Sequence, residues 1–562
     1  MKFNDFKYER PNIDLIISQL EEIVSKLANE TNVEVAKELV TKAQKISDDF
    51  QTMATLCSIR NTINTVDEFY EAETAFFDEN TPKYQAASTK YAHALVNSPI
   101  RKELEEIYGT QWFKLLELNL KSFDEKIMED LVLEAKLSTE YSKVLASAKI
   151  EFDGKINNLS QMSVYANSKD REVRKAAALK TVEFMCSVED KIADIYDQLV
   201  HVRHNMALKM GYENFIEFGY LRLGRSDYNA KDVASYRKQV YENVVPVAQK
   251  IIKDQATRIG IPDIKSYDIP MFYNDGNPTP KGNKDELVKK ALKMYGELSL
   301  ETKEFFEYMV EHDLMDLETK PGKAGGGYCT FIPNYKSPFI FSNFNGTMGD
   351  VDVLTHEAGH AFEVYTASKR LPIADVYWPT LEACEIHSMS MEFFAHPWMD
   401  LFFEEDSAKY KYKHLAEAIT FIPYGVSVDE FQHFVYENPN ATPSERTAKW
   451  REIEQKYTPW KDYDGMDYYE RGCLWYRQGH IFSSPFYYID YTLAQVCAFQ
   501  FFLLNLENHE YAWNKYVDLC KLGGSMSFTG LLKAVGLENP FVDGTLAKIM
   551  PKIEKENEKL SL

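Results

Sequence analysis

Apolar residues recur at steps of three and four along most of the first 230 residues, which is the spacing that lines one face of an α-helix. The pattern is clearest in three segments: 12–29, 33–51 and 127–150. Polar breaks occur at NETN and ENTP, and Pro82 and Pro99 are predicted to mark helix ends. This part of the chain is therefore predicted to be helical almost throughout.

The hydrophobic pattern changes in the middle of the chain. A helical run over residues 231–258 ends in a connector, residues 260–286, whose four prolines exclude regular structure. Another helical stretch, 286–313, precedes two aromatic-rich runs around the turn at 333–337, a pattern that predicts a β-hairpin. The strand Phe339–Phe344 is predicted to pair with an extended peptide, and a purely structural hairpin is the equal alternative.

Length and composition narrow the class of protein. A chain of 562 residues is too long for one core and predicts two or three lobes. The formal net charge of −22 argues against a nucleic acid or an anionic membrane as a partner. No window reaches 18 apolar residues, and the nearest, TLAQVCAFQFFLLNL, is predicted to be a buried helix. Seven scattered cysteines and no secretory signal indicate a reduced, cytoplasmic protein.

The candidate chemistry lies in the five residues HEAGH, from His356 to His360. Residues four apart lie on one face of a helix, so both imidazoles can be directed at one point, as a tetrahedral zinc ion requires. Glu357 lies next to the first histidine, where its carboxylate can reach a water on the metal. Asp352, one turn earlier, either orients an imidazole or complements the helix dipole. A solvated helix face with two histidines is the alternative.

A zinc site that keeps one position for water needs a third protein ligand, which must come from a later helix. The segment WPTLEACEIHSMSMEFFAH supplies Glu382, Glu385, His387 and Glu392. Glu382 and Glu385 are three residues apart, and Glu385 and Glu392 are seven apart, so each pair shares a helix face. Spacing alone does not choose among them. Structural roles are predicted for His387 and His396.

HEAGH followed by EIHSMSMEFF resembles the oligoendopeptidase F branch of the thimet-oligopeptidase-like zinc metallopeptidases. Four other segments also resemble that branch: LGRSDYNAKDVASYRKQV, FIFSNFNGT, VDEFQHFVYENPNATPSERTAKWREIEQKY and HIFSSPFYYIDYTLAQ. The resemblance implies a mainly α, two-lobed, multi-helical metallopeptidase with a small β-sheet next to the zinc helix and a deep substrate channel. It divides the chain into an N-terminal helical lobe, residues 1–195, and a catalytic domain, residues 196–562.

The resemblance also implies the metal ligands. In that family the third ligand is a glutamate 25 residues after the second histidine, which is Glu385 in this sequence. His356, His360 and Glu385 are therefore expected to bind one zinc ion per chain, with Glu357 as the general base.

Further catalytic residues are implied in the C-terminal aromatic run. A histidine and tyrosines of the family donate hydrogen bonds to the substrate carbonyl there, and His480, Tyr488 and Tyr491 match them, with Tyr487 as an alternative to either tyrosine. Pro485 is predicted to leave His480 on a loop, while Tyr488 and Tyr491 share a helical face.

The sequence thus predicts a cytoplasmic, zinc-dependent endopeptidase that hydrolyses internal bonds of short oligopeptides, with a zinc-bound water activated by Glu357. Short peptides are the expected partners, and the sequence indicates no oligomeric state. One alternative is a helical peptide-binding scaffold that contains zinc but does not catalyse, and another is a peptidase with a different third ligand. The intact HExxH favours catalysis, because a structural zinc site usually closes with a fourth Cys or His.

Overall fold

The structure is a computed structural model, and it describes residues 1–561. Helices contain 71% of the chain, which confirms the predicted mainly α fold. The first helices are α1 (Ile13–Leu27), α2 (Val33–Ile63), α3 (Glu68–Val96), α4 (Arg101–Tyr108), α5 (Thr110–Ser122), α6 (Met128–Ala146), α7 (Leu159–Tyr165), α8 (Arg171–Met210), α9 (Phe215–Arg222), α10 (Ala230–Asn243) and α11 (Val245–Arg258).

The later helices are α12 (Lys284–Leu298), α13 (Leu300–Glu311), α14 (Gly349–Ser368), α15 (Leu381–Phe394), α16 (Met399–Phe403), α17 (Ser407–Glu437), α18 (Pro443–Tyr457), α19 (Asp467–Glu470), α20 (Gly479–Ser483), α21 (Tyr488–Glu507), α22 (His509–Leu522), α23 (Phe528–Val535) and α24 (Thr545–Leu560). The strands are β1 (Ile150–Phe152), β2 (Lys155–Asn157), β3 (Met315–Glu318), β4 (Tyr328–Ile332) and β5 (Ser337–Phe344).

Short polar side chains set the starts of many helices. Asn283 accepts a hydrogen bond from the N–H of Glu286, and Glu286 accepts one in return from the N–H of Asn283, which forms a capping box at α12. Ser299 and Thr302 form a similar box at α13. The stretch predicted as one helix over 286–313 is therefore two helices, because Ser299 begins a new one where α12 ends.

Pro82 does not end a helix, so the break predicted at ENTP is wrong. It lies inside α3, where a proline removes one backbone hydrogen bond. Phe77 and Tyr84 on either side are buried against neighbouring helices, and this packing outweighs the local cost. Pro99, in contrast, does separate α3 from α4.

The hairpin β1–β2 lies inside the region predicted to be helical. Its strands pair in an antiparallel register from Ile150 with Asn157 to Phe152 with Lys155. The turn is Asp153-Gly154, and both residues have positive φ, 54° and 70°. Asp-Gly is a strong signal for a two-residue hairpin, but the helical periodicity on both sides masks it in the sequence.

The predicted hairpin before the HEAGH helix is present, but the prediction that Phe339–Phe344 can pair with a peptide is wrong. The strand order is β3-β5-β4, with β3 parallel and β4 antiparallel to β5. The strand that contains Phe339–Phe344 is therefore central, and both of its edges are already paired. The open edge on the hairpin side belongs to β4, because β4 pairs only with β5 among the described residues.

Close packing of α14 against α15 depends on Gly359 of the HEAGH motif. A Cβ at this position would lie 2.7 Å from the backbone O of His387 and 2.7 Å from the Cα of Ser388. Only glycine allows the two backbones to approach in this way. The two helices that carry the predicted metal ligands are thus held in direct contact.

The buried apolar residues form two main cores. The smaller is built mostly from α1 to α5, and the larger joins the sheet to helices from α6 to α24. The predicted boundary between residues 195 and 196 falls inside α8, which is continuous. The apolar stretch predicted to be buried is α21; in the part of the chain that the structure describes, it is the one helix long and apolar enough to cross a membrane, and most of it is buried.

Candidate active site

A short turn connects the central strand β5 to α14 and fixes the start of that helix. Asp350, in the first turn, accepts hydrogen bonds from the backbone N–H groups of Asn345 and Gly346. Its carboxylate also lies at the positive end of the helix dipole. His356 and His360 follow about two and three turns after Asp350, on the face that contacts α15.

The structure brings the three predicted metal ligands together. Nε2 of His356 lies 3.2 Å from Oε2 of Glu385, and Nε2 of His360 lies 3.4 Å from the same oxygen. Their ligand atoms all lie within 4.8 Å of one another, and within residues 1–561 no other group of His, Cys, Asp and Glu meets this condition.

The other carboxylates and histidines of α15 lie elsewhere. Glu382 is buried, and its carboxylate accepts a hydrogen bond from Thr380 at 2.9 Å rather than facing the histidines. His387 is fully buried, and burial lowers its pKa to about 3, so it is a neutral core residue. His396 hydrogen-bonds to His414, at 3.0 Å, and is likewise remote from the ligand group.

Glu392 holds His356, one of the predicted metal ligands, a contact that sequence reasoning missed. Its Oε1 accepts a hydrogen bond from Nδ1 of His356 at 2.7 Å. The available signal was its position two turns after Glu385, on the same face of α15. Asp352 does not have this role, because its Oδ1 accepts a hydrogen bond from the hydroxyl of Tyr410, at 2.6 Å. Asp352 is an acid in the first turn of α14 that also fixes a tyrosine of α17.

Glu357 lies beside the ligand group, close to the open strand β4. A Cβ on Gly327, just before β4, would lie 3.6 Å from Oε1 of Glu357. Burial raises the pKa of Glu357, although the neighbouring His356 and His360 oppose the shift. The carboxylate makes no hydrogen bond to a protein group in the described residues, so its oxygens are available to a small molecule at the site.

The pKa values of His356 and Glu385 are shifted in opposite directions. Burial lowers the pKa of His356, but hydrogen bonds with Glu385 and Glu392 outweigh it and raise the pKa well above its ordinary value. Burial raises the pKa of Glu385, but His360 and His356 outweigh it and hold the pKa well below its ordinary value. The buried carboxylates of Glu385 and Glu392 therefore favour positive charge at His356.

His480 lies in the short helix α20, so the predicted loop is wrong. The turn at Pro485 ends α20 and precedes α21, and it leaves room for one helical turn around His480. Nδ1 of His480 is 2.9 Å from Nε2 of Gln478, and its Nε2 is 3.4 Å from the hydroxyl of Tyr491. Burial lowers the pKa of His480.

The three tyrosines at the start of α21 have different partners. Tyr487 donates its hydroxyl to Oε1 of Glu385 at 2.7 Å, so it contacts a predicted metal ligand. Tyr491 faces His480, as described above. The ring of Tyr488 is 4.9 Å from that of His480, and its hydroxyl has no hydrogen-bond partner in the described part of the chain.

Arg225 holds the turn that precedes these tyrosines. It is fully buried and donates hydrogen bonds to the carbonyl of Phe486, at 2.6 Å, and to Oδ1 of Asp490, at 2.7 Å. Phe486 has a positive φ of 68°, a conformation that a non-glycine residue rarely adopts. Arg225 therefore fixes both the turn and the first turn of α21. In the sequence it lies in LGRSDYN, with no local sign of this contact.

A large cleft lies between α3 and α6. Its volume is about 1260 Å³, and its lining includes Asp78, Lys136, Lys143 and Arg222. The predicted metal ligands do not line it. The deep substrate channel thus stays a prediction.

In this multi-helical fold the HExxH motif on α14 faces a carboxylate on α15. This is the arrangement of a metallopeptidase. Comparison with known proteins agrees: the Peptidase M3 N-terminal domain matches residues 3–123, and Peptidase family M3 matches residues 300–551. PZ peptidase A, solved with an inhibitor, is 52% identical over the full length of both chains, with a TM-score of 0.97.

Two further relatives agree. A Bacillus anthracis structure assigned to oligoendopeptidase F is 48% identical, with a TM-score of 0.91, over 100% of this chain and 99% of that one. An oligoendopeptidase F homologue of Borreliella burgdorferi is 24% identical over 82% of this chain and 79% of that protein. The chain belongs to peptidase family M3, in its oligoendopeptidase F branch, and it is a metalloendopeptidase. The resemblance seen in the sequence is confirmed.

Proposed function

We propose that this peptidase is a zinc-dependent endopeptidase that hydrolyses internal bonds of short oligopeptides, with Glu357 as its general base. The observation that carries the proposal is the convergence of His356, His360 and Glu385 on one point. Two imidazoles and one carboxylate are a donor set that zinc accepts in catalytic sites, and they leave one position open. One zinc ion per chain fits this set.

Zinc bound by these residues would polarise a carbonyl group and lower the pKa of a water molecule towards about 7. The protein's own part in the reaction is proton transfer. Glu357 takes the proton of the attacking water and then passes it to the leaving amine. Its burial and its freedom from protein hydrogen bonds support this role.

The proposed donors to the developing oxyanion are His480, Tyr488 and Tyr491. All three lie on α20 and α21, close to Tyr487, which bonds to Glu385, and in the described residues the hydroxyls of Tyr488 and Tyr491 make no hydrogen bond to a carboxylate. Such donors stabilise charge that appears only in the transition state. Tyr487 is assigned a different role: its hydroxyl bonds to Glu385 and orients this proposed zinc ligand.

The substrate is proposed to bind as an extended strand on the open edge of β4. That edge starts beside Gly327, which is next to Glu357, so a peptide paired there passes the general base. A channel between two lobes, residues 1–195 and 196–562, would admit short peptides and exclude folded proteins. A cytoplasmic location is supported by the seven cysteines, all of which are free.

The alternative, a scaffold that holds zinc without catalysis, is less well supported. A structural zinc site closes with a fourth protein ligand, and the described residues supply three at this point. The Glu357 carboxylate would also have no purpose in a scaffold.

Metal analysis together with an internally quenched peptide tests the proposal. A chelator should abolish cleavage and zinc should restore it. Glu357→Gln should keep the zinc and reduce kcat severely, because it removes only the proton acceptor. Glu363→Gln is the matched control on the same helix, because Glu363 is fully buried and neither of its oxygens has a hydrogen-bond partner among the described residues, and its burial raises its pKa well above the ordinary value. Full activity of a metal-free preparation, or of Glu357→Gln, would contradict the proposal.

A further inference from the structure

A chain of buried hydrogen bonds extends outward from the ligand His356. Nδ1 of His356 bonds to Oε1 of Glu392 at 2.7 Å, and Oε2 of Glu392 bonds to Nε2 of His414 at 2.7 Å. Nδ1 of His414 is in turn 3.0 Å from Nε2 of His396. Both His414 and His396 are only 7% exposed. Three side chains, from α15, from α17 and from the turn that follows α15, are therefore linked in series behind His356.

The chemistry of these side chains determines which of them donate and which accept the hydrogen bonds next to the proposed metal site. An ionised carboxylate only accepts hydrogen bonds, so His356 and His414 must both donate to Glu392. With its proton on Nδ1, a neutral His356 presents an unprotonated Nε2, the atom that faces Glu385 and that a metal ion requires. The tautomer of His356 therefore depends on where Glu392 is held.

His414 holds Glu392. The last torsion of a glutamate is broad, so a carboxylate bound through one oxygen can swing away from its partner. His414 binds the second oxygen and prevents this. His414 is itself held from the far side by His396 and by the ring of Tyr410, which stacks on it at 5.7 Å with 14° between the planes.

Tyr410 closes the arrangement into a ring of contacts. Its hydroxyl donates to Asp352, which lies on α14 one turn before His356. The helices α14, α15 and α17 are thus joined by polar contacts at one level, and two of them supply the metal ligands. A displacement of His414 would therefore disturb its contacts with Glu392 of α15 and, through Tyr410, with Asp352 of α14.

We propose that His414 is a positioning residue of the metal site: acting through Glu392, it holds the His356 imidazole in the tautomer and orientation that bind the ion. The inference rests on the zinc site proposed above. Partners beyond the ligands typically change metal affinity by about 10–100-fold when they are replaced. Since His414 acts through one intermediate residue, the lower end of this range is expected.

The test replaces His414 by Leu, Gln and Asn. Leucine removes the donor to Glu392. The amide N–H of glutamine can reach the position of Nε2, whereas the asparagine amide is one carbon too short. If the leucine variant does not fold, comparing the glutamine and asparagine variants still separates the loss of the hydrogen bond from the loss of the side chain's shape. The matched control is His433→Leu, because His433 lies on the same helix, is 6% exposed and bonds to Tyr220 at 3.0 Å, remote from the ligands.

The measurements are the zinc dissociation constant by chelator competition, the visible spectrum of the cobalt-loaded protein, and the melting temperature of the metal-free protein. We expect His414→Leu and His414→Asn to weaken zinc binding by about 10-fold and to alter the cobalt spectrum, with His414→Gln close to the wild type. His433→Leu should lower the melting temperature but leave the zinc constant and the spectrum unchanged.

The outcomes separate the two proposals. Wild-type protein that binds no stoichiometric zinc would overturn the proposed function itself. If the wild type binds zinc and the leucine and asparagine variants bind it equally well, His414 serves packing only and the inference is overturned. The same conclusion follows if His433→Leu weakens zinc binding as much as His414→Leu.

Discussion

The three tyrosines at the start of α21 can be told apart by one change made three times, Tyr→Phe at 487, 488 and 491. Each change removes a hydroxyl and keeps the ring, so packing is preserved. The structure gives the three hydroxyls different surroundings: that of Tyr487 is bonded to Glu385 at 2.7 Å, that of Tyr491 lies 3.4 Å from His480, and that of Tyr488 is free of protein partners in the described residues.

The expected magnitudes differ accordingly. Tyr487→Phe removes the partner of a ligand carboxylate, so zinc binding should weaken by about 10–100-fold. At saturating zinc its kcat should be little altered. Tyr491→Phe removes a hydroxyl that can donate to an oxyanion, so kcat should fall by roughly 10²-fold or more, about 3 kcal/mol, with KM little altered. Tyr488→Phe should have the same signature to a smaller extent, because its hydroxyl is not aligned by His480.

Steady-state cleavage of an internally quenched peptide in zinc-buffered solution provides kcat and KM, and chelator competition provides the zinc constant. The matched control is Tyr516→Phe: Tyr516 is fully buried and donates to the carbonyl of His387 at 2.9 Å, so the change should cost about 1 kcal/mol of stability and leave kcat unchanged.

Two results would refute the reasoning. If Tyr488→Phe, Tyr491→Phe and the double variant all keep a kcat near the wild type, these residues serve packing. If Tyr487→Phe lowers kcat strongly while zinc stays fully bound, the roles of Tyr487 and Tyr491 are exchanged.

Three further predictions follow from individual contacts. Glu385→Ala should weaken zinc binding far more than Glu382→Ala in chelator competition, and the reverse order would transfer the ligand role. Gly359→Ala should destabilise the protein by about 1–3 kcal/mol in thermal unfolding, because its Cβ would meet the backbone of α15 at 2.7 Å; an unchanged melting temperature would contradict that packing. For Glu134, burial raises the pKa, but Arg222 and Arg203 outweigh it and lower the pKa from 4.5 to about 2. This carboxylate therefore contributes about 3 kcal/mol above pH 4.5 that is lost as the pH falls towards 2. Glu134→Gln should be less stable by this amount in urea at pH 7 and not at pH 2, and a pH-independent difference would disprove the assignment.

Much of this protein was determined by local sequence. Helical periodicity identified most of the helices, since an apolar stripe at a spacing of three and four residues can be buried only in a helix. HEAGH located two of the three proposed ligands, because residues four apart on a helix must share a face. The connector at 260–286 was identified by its prolines, which act through the local backbone alone.

The tertiary structure decided whatever depends on residues distant in sequence. Spacing on α15 left Glu382, Glu385 and Glu392 equivalent, and the family resemblance singled out Glu385. The contact of α15 with α14 directs Glu385 at both histidines and sets Glu392 behind His356. Burial of α3 likewise kept Pro82 inside a helix. Strand order was also decided by the tertiary structure: β3 pairs with β5 and not with β4, its neighbour in the sequence, so β5 is the central strand and β4 has the open edge. Such choices depend on which surfaces meet, and the local pattern of one segment does not contain that information.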